Sequence, residues 1–192
     1  GDILVANHPA FGGSHLPDVS VLAPVFSESK EPVCFLANRA HHAEIGGVSP
    51  GSMPAGSATL EQEGVVLSPQ YLFEKGESRM DQIEKVLQRA EYPSRQVSEN
   101  LADLSAQVAS LRYGIDTMEQ LIAEYGENEI TQQMKALREE SSLSCRHFLE
   151  GFGDTVLSGN QSLDDGDRIE LKVSIHEGSA IFDFTRTASA RD

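Results

Sequence analysis

The amino-acid sequence predicts an α+β fold, because strand patterns near both ends of the chain enclose a long helical pattern. Residues 19–26 and 33–40 are rich in β-branched and apolar residues. Residues 168–184 alternate between apolar and polar side chains around a Glu-Gly turn. Between them, one uninterrupted heptad repeat extends over residues 97–125. We expect one partial domain made of a β-rich part at 1–75, a helical part at 78–150 and C-terminal strands at 163–187.

The composition is typical of a globular protein, since 39% of the 192 residues are hydrophobic and 23% are charged. A formal net charge of −15 disfavours nucleic acid and anionic membranes as partners, because both repel an acidic surface. No apolar run approaches the roughly 20 residues that a membrane-spanning helix needs. Cys34 and Cys145 are the only cysteines and lie far apart in the sequence, so we expect a protein of the reducing cytoplasm.

The N-terminal third predicts β-structure interrupted by loops. Residues 3–6 form a short apolar strand, and residues 12–17 form a loop rich in Gly and Pro. A charged connector joins runs 19–26 and 33–40 into a β-hairpin within a mixed sheet. Residues 46–64 contain five glycines and two prolines, which exclude regular structure, and long ordered loops tend to be functional.

The middle of the chain predicts helices. A short helix covers residues 78–90, and after a break at Pro93 a long helix extends over residues 94–125 and ends at Gly126. Residues 127–149 predict a second long helix, so we expect an antiparallel helical pair. The apolar stripe of the first long helix is expected to pack against the second helix or another subunit. That stripe consists of Val97, Leu101, Leu104, Val108, Leu111 and Ile115.

The predicted hairpin brings three possible metal ligands together. If the two β-rich runs pair antiparallel with Phe26 opposite Val33, the same register places Asp18 opposite His41. Directly opposed residues have Cβ atoms about 5 Å apart, a spacing that suits two ligands of one ion. His15 lies three residues upstream, in a loop that can fold back. Two His and one carboxylate favour a catalytic Zn²⁺, Mn²⁺ or Fe²⁺, and a surface His cluster is the alternative.

Further candidate residues surround this trio. The Gly-rich loop offers N–H groups and hydroxyls that suit an anion, although a plain connecting loop explains the pattern equally well. Glu63 is a candidate general base, or else a solvated surface acid. His42 is a candidate catalytic or ligand-orienting residue, since ligating His side chains usually donate their other N–H. The candidate substrate-binding residues are Asn7, His8, Arg39 and Ser52.

Short motifs along almost the whole chain occur in the order that is typical of one known protein family. They are Asn7-His8-Pro9, Gly12–Asp18, Asn38–Gly47, Ser49–Pro54, Gln62–Gly64, Asn100–Gln107, Leu163–Gly166 and Asp183–Thr185. In this order they resemble the hydantoinase B/oxoprolinase family, and the Asn-His-Pro form resembles its 5-oxoprolinase branch. The chain departs from the family at Arg186, where Gly is usual, and it resembles only a fragment of the longer family domain.

The resemblance implies ATP-dependent opening of a cyclic amide such as 5-oxoproline or a hydantoin. A companion hydantoinase A-like domain or subunit would bind ATP and phosphorylate the substrate carbonyl, so ATP is not expected on this chain. By motif, the family's divalent metal falls on His15, Asp18 and His41. We therefore expect part of a homo- or hetero-oligomeric hydrolase, inactive as an isolated fragment. The alternatives are the metal-bearing subunit of an acetone carboxylase-like enzyme and a non-catalytic assembly module.

Overall fold

A computed structural model describes residues 1–27, 30–52, 54 and 56–189 of the chain. These residues form helices and two antiparallel sheets, which confirms the predicted α+β class. The chain divides into two compact units, residues 1–127 and residues 128–192, so the predicted helical part is shared between them. In the described part of the chain, no helix has both the length and the apolar character that crossing a membrane requires.

The first unit is built on a five-stranded sheet. Its strands are β1 (Ile3–Ala6), β2 (Asp18–Phe26), β3 (Pro32–His41), β4 (Gln70–Glu74) and β5 (Glu77–Ser78). They lie in the order β3-β2-β1-β4-β5, and every neighbouring pair is antiparallel. The sequence predicts β1, β2 and β3 but not β4 and β5, because β4 and β5 have five and two residues and are too short for a clear alternation.

The register of the hairpin β2–β3 confirms the prediction over most of its length. Asp18 lies opposite His41, and the same register continues to the pair Val25–Cys34. At the hairpin tip Phe26 pairs with Pro32 instead of Val33, because a β-bulge shifts the register there. The pair Asp18–His41 is unaffected by this shift, since it lies at the opposite end of both strands.

The core of the first unit lies between this sheet and three helices. These are α1 (Leu60–Glu63), α2 (Met80–Arg89) and α3 (Val97–Tyr125), and α1 corrects the expectation that residues 46–64 hold no regular structure. The inward side chains of β2 alternate with outward ones, and α3 packs on β2, β3 and α2. The main core residues are Val5, Val19, Val21, Leu67, Leu72, Ile83, Leu87, Leu104, Val108 and Leu111.

The apolar stripe of α3 therefore has a different partner from the expected one. Leu104, Val108 and Leu111 are buried in the core that the sheet and α2 share, whereas a second helix or another subunit was predicted. Val97, Leu101 and Ile115 lie half-buried against the same core. The heptad pattern specifies an apolar stripe but not its partner, because a stripe of this width packs equally well on a sheet.

The second unit contains a helix and a three-stranded sheet. Its elements are α4 (Glu127–Glu150), β6 (Thr155–Ser162), β7 (Arg168–His176) and β8 (Ser179–Asp183). The predicted C-terminal hairpin is confirmed as β7–β8, with positive φ at Glu177 and Gly178 in its two-residue turn. β6 pairs with β7 and was missed, because most of its residues are polar or Gly. Among the described residues of this unit, Ile175 is the only buried hydrophobic residue.

We predict that Leu104→Ala destabilises the protein by about 2–5 kcal/mol, because it removes a side chain with 1% exposure from the core. Urea unfolding followed by circular dichroism measures this change. Tyr113→Ala on the same helix is the control, since Tyr113 is 76% exposed and its loss is expected to cost under about 0.5 kcal/mol. A cost below about 0.5 kcal/mol for Leu104→Ala would mean that the stripe faces solvent.

Candidate metal centre

His15, Asp18 and His41 meet at the open end of the hairpin, and we call them the His-Asp-His cluster. Asp18 begins β2 and His41 ends β3, so the ladder places them opposite each other. His41 Nδ1 lies 2.9 Å from Asp18 Oδ1, and His15 Nδ1 lies 3.1 Å from Asp18 Oδ2. One carboxylate thus joins both imidazoles, each through a different oxygen.

A turn before β2 brings His15 to the cluster. The N–H of Asp18 donates to the carbonyl oxygen of His15 at 2.9 Å, which closes the turn. Leu16 and Pro17 are buried, and the Pro17 carbonyl oxygen accepts from the N–H of His42 at 2.8 Å. Because its neighbours are anchored in this way, the exposed side chain of His15 is held over the hairpin end.

The electrostatics of the cluster favour an ionised carboxylate. The hydrogen bond from His41 is the main cause that lowers the pKa of Asp18, and it outweighs partial burial, which acts in the opposite direction. A carboxylate only accepts hydrogen bonds, so both imidazoles donate to it from Nδ1. The side chains of His15 and His41 remain about 60% exposed, while Asp18 is 20% exposed, so the cluster is open to solvent on the imidazole side.

The donor set fits a divalent metal, but the side chains are not yet arranged around one. Two imidazoles and one carboxylate suit Zn²⁺, Mn²⁺ or Fe²⁺. Across the described residues, no three His, Cys, Asp or Glu side chains are already placed to hold a metal ion. In the His-Asp-His cluster the facing atoms bond to each other, so an ion has to displace the two shared protons. Metal binding at these residues therefore stays a prediction.

Arg39 fastens the loop before His15 to the hairpin. Its Nε donates to Ser20 Oγ at 2.9 Å, across the ladder from β3 to β2. Its Nη2 donates to the carbonyl oxygen of Gly12 at 2.8 Å, and Nη1 lies 3.4 Å from Ser14 Oγ. The guanidinium is exposed and lies on the same face of β3 as His41. Its positive charge is thus available beside the His-Asp-His cluster.

The side chains of Asn7 and His8, two predicted substrate-binding residues, form hydrogen bonds with backbone groups. Asn7 is fully buried, and its Nδ2 donates to the carbonyl oxygens of Leu16 and Val65 at 2.8 and 2.9 Å. Its Oδ1 accepts from the N–H of Leu67 at 2.6 Å, so the amide has no face open to a substrate. His8 Nδ1 accepts from the N–H of Ala10 at 3.1 Å and caps a short 3₁₀ turn.

His42 lies behind the cluster with both ring nitrogens engaged. It is 1% exposed, its Nε2 lies 3.1 Å from Gln107 Oε1, and its Nδ1 lies 3.2 Å from Asn100 Nδ2. Neither nitrogen is left for a substrate or an ion. The structure thus gives this predicted catalytic candidate a place in a buried polar network between β3 and α3.

Glu44 anchors the beginning of the Gly-rich loop to the segment before α3. Its Oε1 accepts from the Gly46 N–H at 2.8 Å and from Arg95 Nη1 at 2.7 Å. Its Oε2 accepts from the Arg95 N–H at 2.7 Å and lies 2.9 Å from Ser94 Oγ. Burial raises the pKa of Glu44, but these hydrogen bonds outweigh it and hold the pKa below its ordinary value.

The Gly-rich loop turns tightly against its neighbours. Gly46 has a φ of +86°, and a Cβ there would lie 2.3 Å from the Tyr92 carbonyl oxygen, so only Gly fits. Ser52 Oγ is 3.3 Å from the Gly46 carbonyl oxygen, and Met53 of the same motif lies outside the described residues. Glu63 ends α1, half-buried.

Sequence reasoning missed the polar residues behind the cluster. They are Asn38, Glu44, Ser94, Arg95, Asn100 and Gln107. One signal was available, because Asn100 and Gln107 are two helical turns apart and lie in line with the buried Leu104 and Leu111. Polar residues at buried helix positions indicate a specific hydrogen-bond partner on the facing element.

The profile of the hydantoinase B/oxoprolinase family matches residues 1–192, so the chain belongs to this family. It is 39% identical to the 5-oxoprolinase of Saccharomyces cerevisiae over 98% of its own length and 16% of that protein. The chain therefore spans about a sixth of the length of this relative.

Two solved structures share the fold. The ATP-dependent caprolactamase from Pseudomonas jessenii matches with a TM-score of 0.82 and 26% identity, over 95% of this chain and 32% of that one. A nucleotide-free acetone carboxylase matches with a TM-score of 0.73 and 16% identity, over 95% of this chain and 26% of that one. At that lower identity the likeness shows the fold alone.

We predict that Glu44→Gln costs about 1.5–3 kcal/mol at pH 7, since it removes a charged hydrogen-bond acceptor from a buried site. The pKa of Glu44 is lower in the folded chain than its ordinary 4.5, so its stabilising contribution is present above about pH 4.5. That contribution is lost as the pH falls through the folded-state pKa. Urea unfolding at a series of pH values measures the difference between the two proteins.

The matched control is Glu77→Gln, because Glu77 is exposed and its replacement is expected to change stability by less than about 0.5 kcal/mol. A difference between wild type and Glu44→Gln that stays constant from pH 7 to pH 3.5 would show that the Glu44 charge does not stabilise the fold.

Proposed function

We propose that this chain forms the metal-bearing part of an ATP-dependent cyclic-amide hydrolase of the 5-oxoprolinase type. The observation that carries the proposal is the His-Asp-His cluster at the open end of a hairpin, in a chain of the hydantoinase B/oxoprolinase family. Relatives named 5-oxoprolinase and a structural relative named caprolactamase support cyclic amides as the substrate class. 5-Oxoproline is our first choice of substrate, and a hydantoin is the second.

His15, Asp18 and His41 would hold the divalent ion, which supplies Lewis-acid polarisation of a carbonyl or a more acidic bound water when present. Asp18 contributes the negative charge of the donor set, and its hydrogen bonds already orient both imidazoles. Because both imidazole rings are more than half exposed, a small molecule can approach the cluster from solvent.

Two neighbouring side chains would complete the reaction site. Arg39 places an exposed guanidinium on the same strand face as His41, where it suits the carboxylate of a substrate such as 5-oxoproline. Glu63 ends α1 next to Gly64, where an added Cβ would lie 3.4 Å from Cβ of Leu16, the neighbour of His15. We propose Glu63 as the base that takes a proton from the attacking water.

Activation of the substrate would take place on a partner. We propose a hydantoinase A-like domain or subunit that binds ATP and phosphorylates the amide oxygen, while this chain acts on the activated intermediate. A relative named caprolactamase subunit beta supports an assembly of more than one subunit. Because Cys34 and Cys145 are both free thiols, we propose a reducing compartment such as the cytoplasm.

We predict that His41→Ala in the complete assembly lowers the rate of ring opening more than about 100-fold. Replacing a residue that hydrogen-bonds to a metal ligand costs about 10–100-fold in activity, and removing the ligand itself is expected to cost more. ATP binding to the partner is expected to stay unchanged. Ring opening is measured by the appearance of the linear amino acid, and ATP binding by calorimetry.

The control is His176→Ala, because His176 forms a comparable exposed pair with Asp154 at 2.9 Å in the second unit. We expect it to leave the rate unchanged. If the His41→Ala assembly also opens the ring at the wild-type rate, the His-Asp-His cluster is not catalytic.

A further inference from the structure

We propose that Gln107 of α3 is a positioning residue for the His-Asp-His cluster, an inference that rests on the proposed function. Gln107 contacts no member of the cluster. It is hydrogen-bonded instead to the residues that follow two of them in the chain, Val19 after Asp18 and His42 after His41. One buried amide therefore connects the two strands at the point where they present the cluster.

Both ends of the Gln107 side-chain amide and its backbone carbonyl oxygen are hydrogen-bonded. Nε2 donates to the carbonyl oxygen of Val19 at 2.9 Å and to Asn38 Oδ1 at 3.0 Å. Oε1 lies 3.1 Å from His42 Nε2, and the Gln107 carbonyl oxygen accepts from Asn38 Nδ2 at 2.8 Å. The side chain is 6% exposed, so water does not compete for these bonds.

These partners also determine the proton positions. A carbonyl oxygen only accepts, so Val19 fixes which end of the Gln107 amide is the NH₂ group. Oε1 then faces His42 Nε2, which must carry the proton. In the same way, the Glu44 carbonyl oxygen accepts from Asn100 Nδ2 at 2.6 Å, so that the Asn100 NH₂ group faces His42 Nδ1. His42 is thus held as the neutral tautomer with its proton on Nε2.

The consequence for the cluster follows from chain connectivity. Asp18 and His41 project to the outer face of the hairpin, and the residues that follow them are tied together on the inner face. A helix in the core therefore determines the separation and the twist of the two strands at the cluster. Residues that hydrogen-bond directly to metal ligands typically change metal affinity about 10–100-fold when they are replaced, and we expect the lower end of this range for Gln107 because it acts through the backbone.

The test compares Gln107→Met with Leu104→Ala in the full 192-residue chain. Met fills a similar volume but cannot replace the amide bonds, whereas Leu104→Ala destabilises the same helix without touching the hairpin hydrogen bonds. The first readout is the dissociation constant for Co²⁺, followed by visible absorption. The second is the two-bond ¹H–¹⁵N spectrum of the His rings in the metal-free protein.

We expect Gln107→Met to raise the Co²⁺ dissociation constant about 10-fold and to shift the ring signals of His41, a cluster member that Gln107 does not contact. Leu104→Ala is expected to change the constant by less than about twofold and to leave those signals in place. Asn38→Ala provides a milder variant if Gln107→Met does not fold, because it removes two of the bonds to Gln107. We expect it to shift both readouts in the same direction by a smaller amount.

The proposal is overturned if Gln107→Met and Asn38→Ala bind Co²⁺ like wild type, or if both leave the ring signals of His41 unchanged. It is also overturned if Leu104→Ala weakens Co²⁺ binding as much as Gln107→Met does, because general destabilisation then explains the loss. Failure of the wild-type chain to bind Co²⁺ contradicts the proposed metal site instead. In that case the ring signals of the metal-free variants still decide whether Gln107 positions the cluster.

Discussion

The cross-strand pair of Asp18 and His41 depends on a hydrogen-bonded contact between the hairpin and helix α3. Two amides of α3, those of Asn100 and Gln107, bond the hairpin and its C-terminal extension from the core side. In the described part of the chain, no buried side-chain nitrogen or oxygen lacks a partner. Such a contact permits one placement of the helix over the sheet, because any shift leaves buried polar groups without partners.

This constraint links the core to the surface of the first unit. The apolar stripe of α3 supplies the burial that stabilises the unit, and the polar residues beside it set the alignment. Glu44 continues the same network to Ser94 and Arg95, so the Gly-rich loop begins at a fixed position. The two imidazoles at the end of the hairpin stay exposed, as a site that receives a small molecule requires.

The sequence predicted the exposed pair of Asp18 and His41 better than the buried polar residues of α3 behind it. In an antiparallel hairpin one register fixes every opposed pair, so the assumed register placed Asp18 opposite His41 correctly, although a bulge displaces the assumed pair at the tip. Asn100 and Gln107 were missed, because a heptad analysis counts apolar positions and assigns polar residues to solvent. Whether such a residue is buried depends on the facing element, and α3 faces the sheet, although the second helix or another subunit was expected.

Other differences have a similar physical origin. His42 follows the predicted ligand His41 in the chain. Only the packing of α3 shows that both ring nitrogens of His42 are hydrogen-bonded. Strand β6 is mostly polar, and it forms because β7 offers it a free edge, which no local pattern reports. Local pattern thus predicted the long helices, the hairpins and the register of β2 and β3, while tertiary contacts determined the short or polar strands and which polar side chains are buried.

The central claim is that one divalent ion binds between His15, Asp18 and His41. Diffraction from crystals of the chain grown with Mn²⁺, recorded at the manganese absorption edge, tests it most directly. We expect one strong anomalous peak in contact with all three side chains, with the two direct hydrogen bonds to Asp18 replaced. A peak elsewhere on the chain, with His15 and His41 still hydrogen-bonded to Asp18, would show that the ion does not bind at these residues.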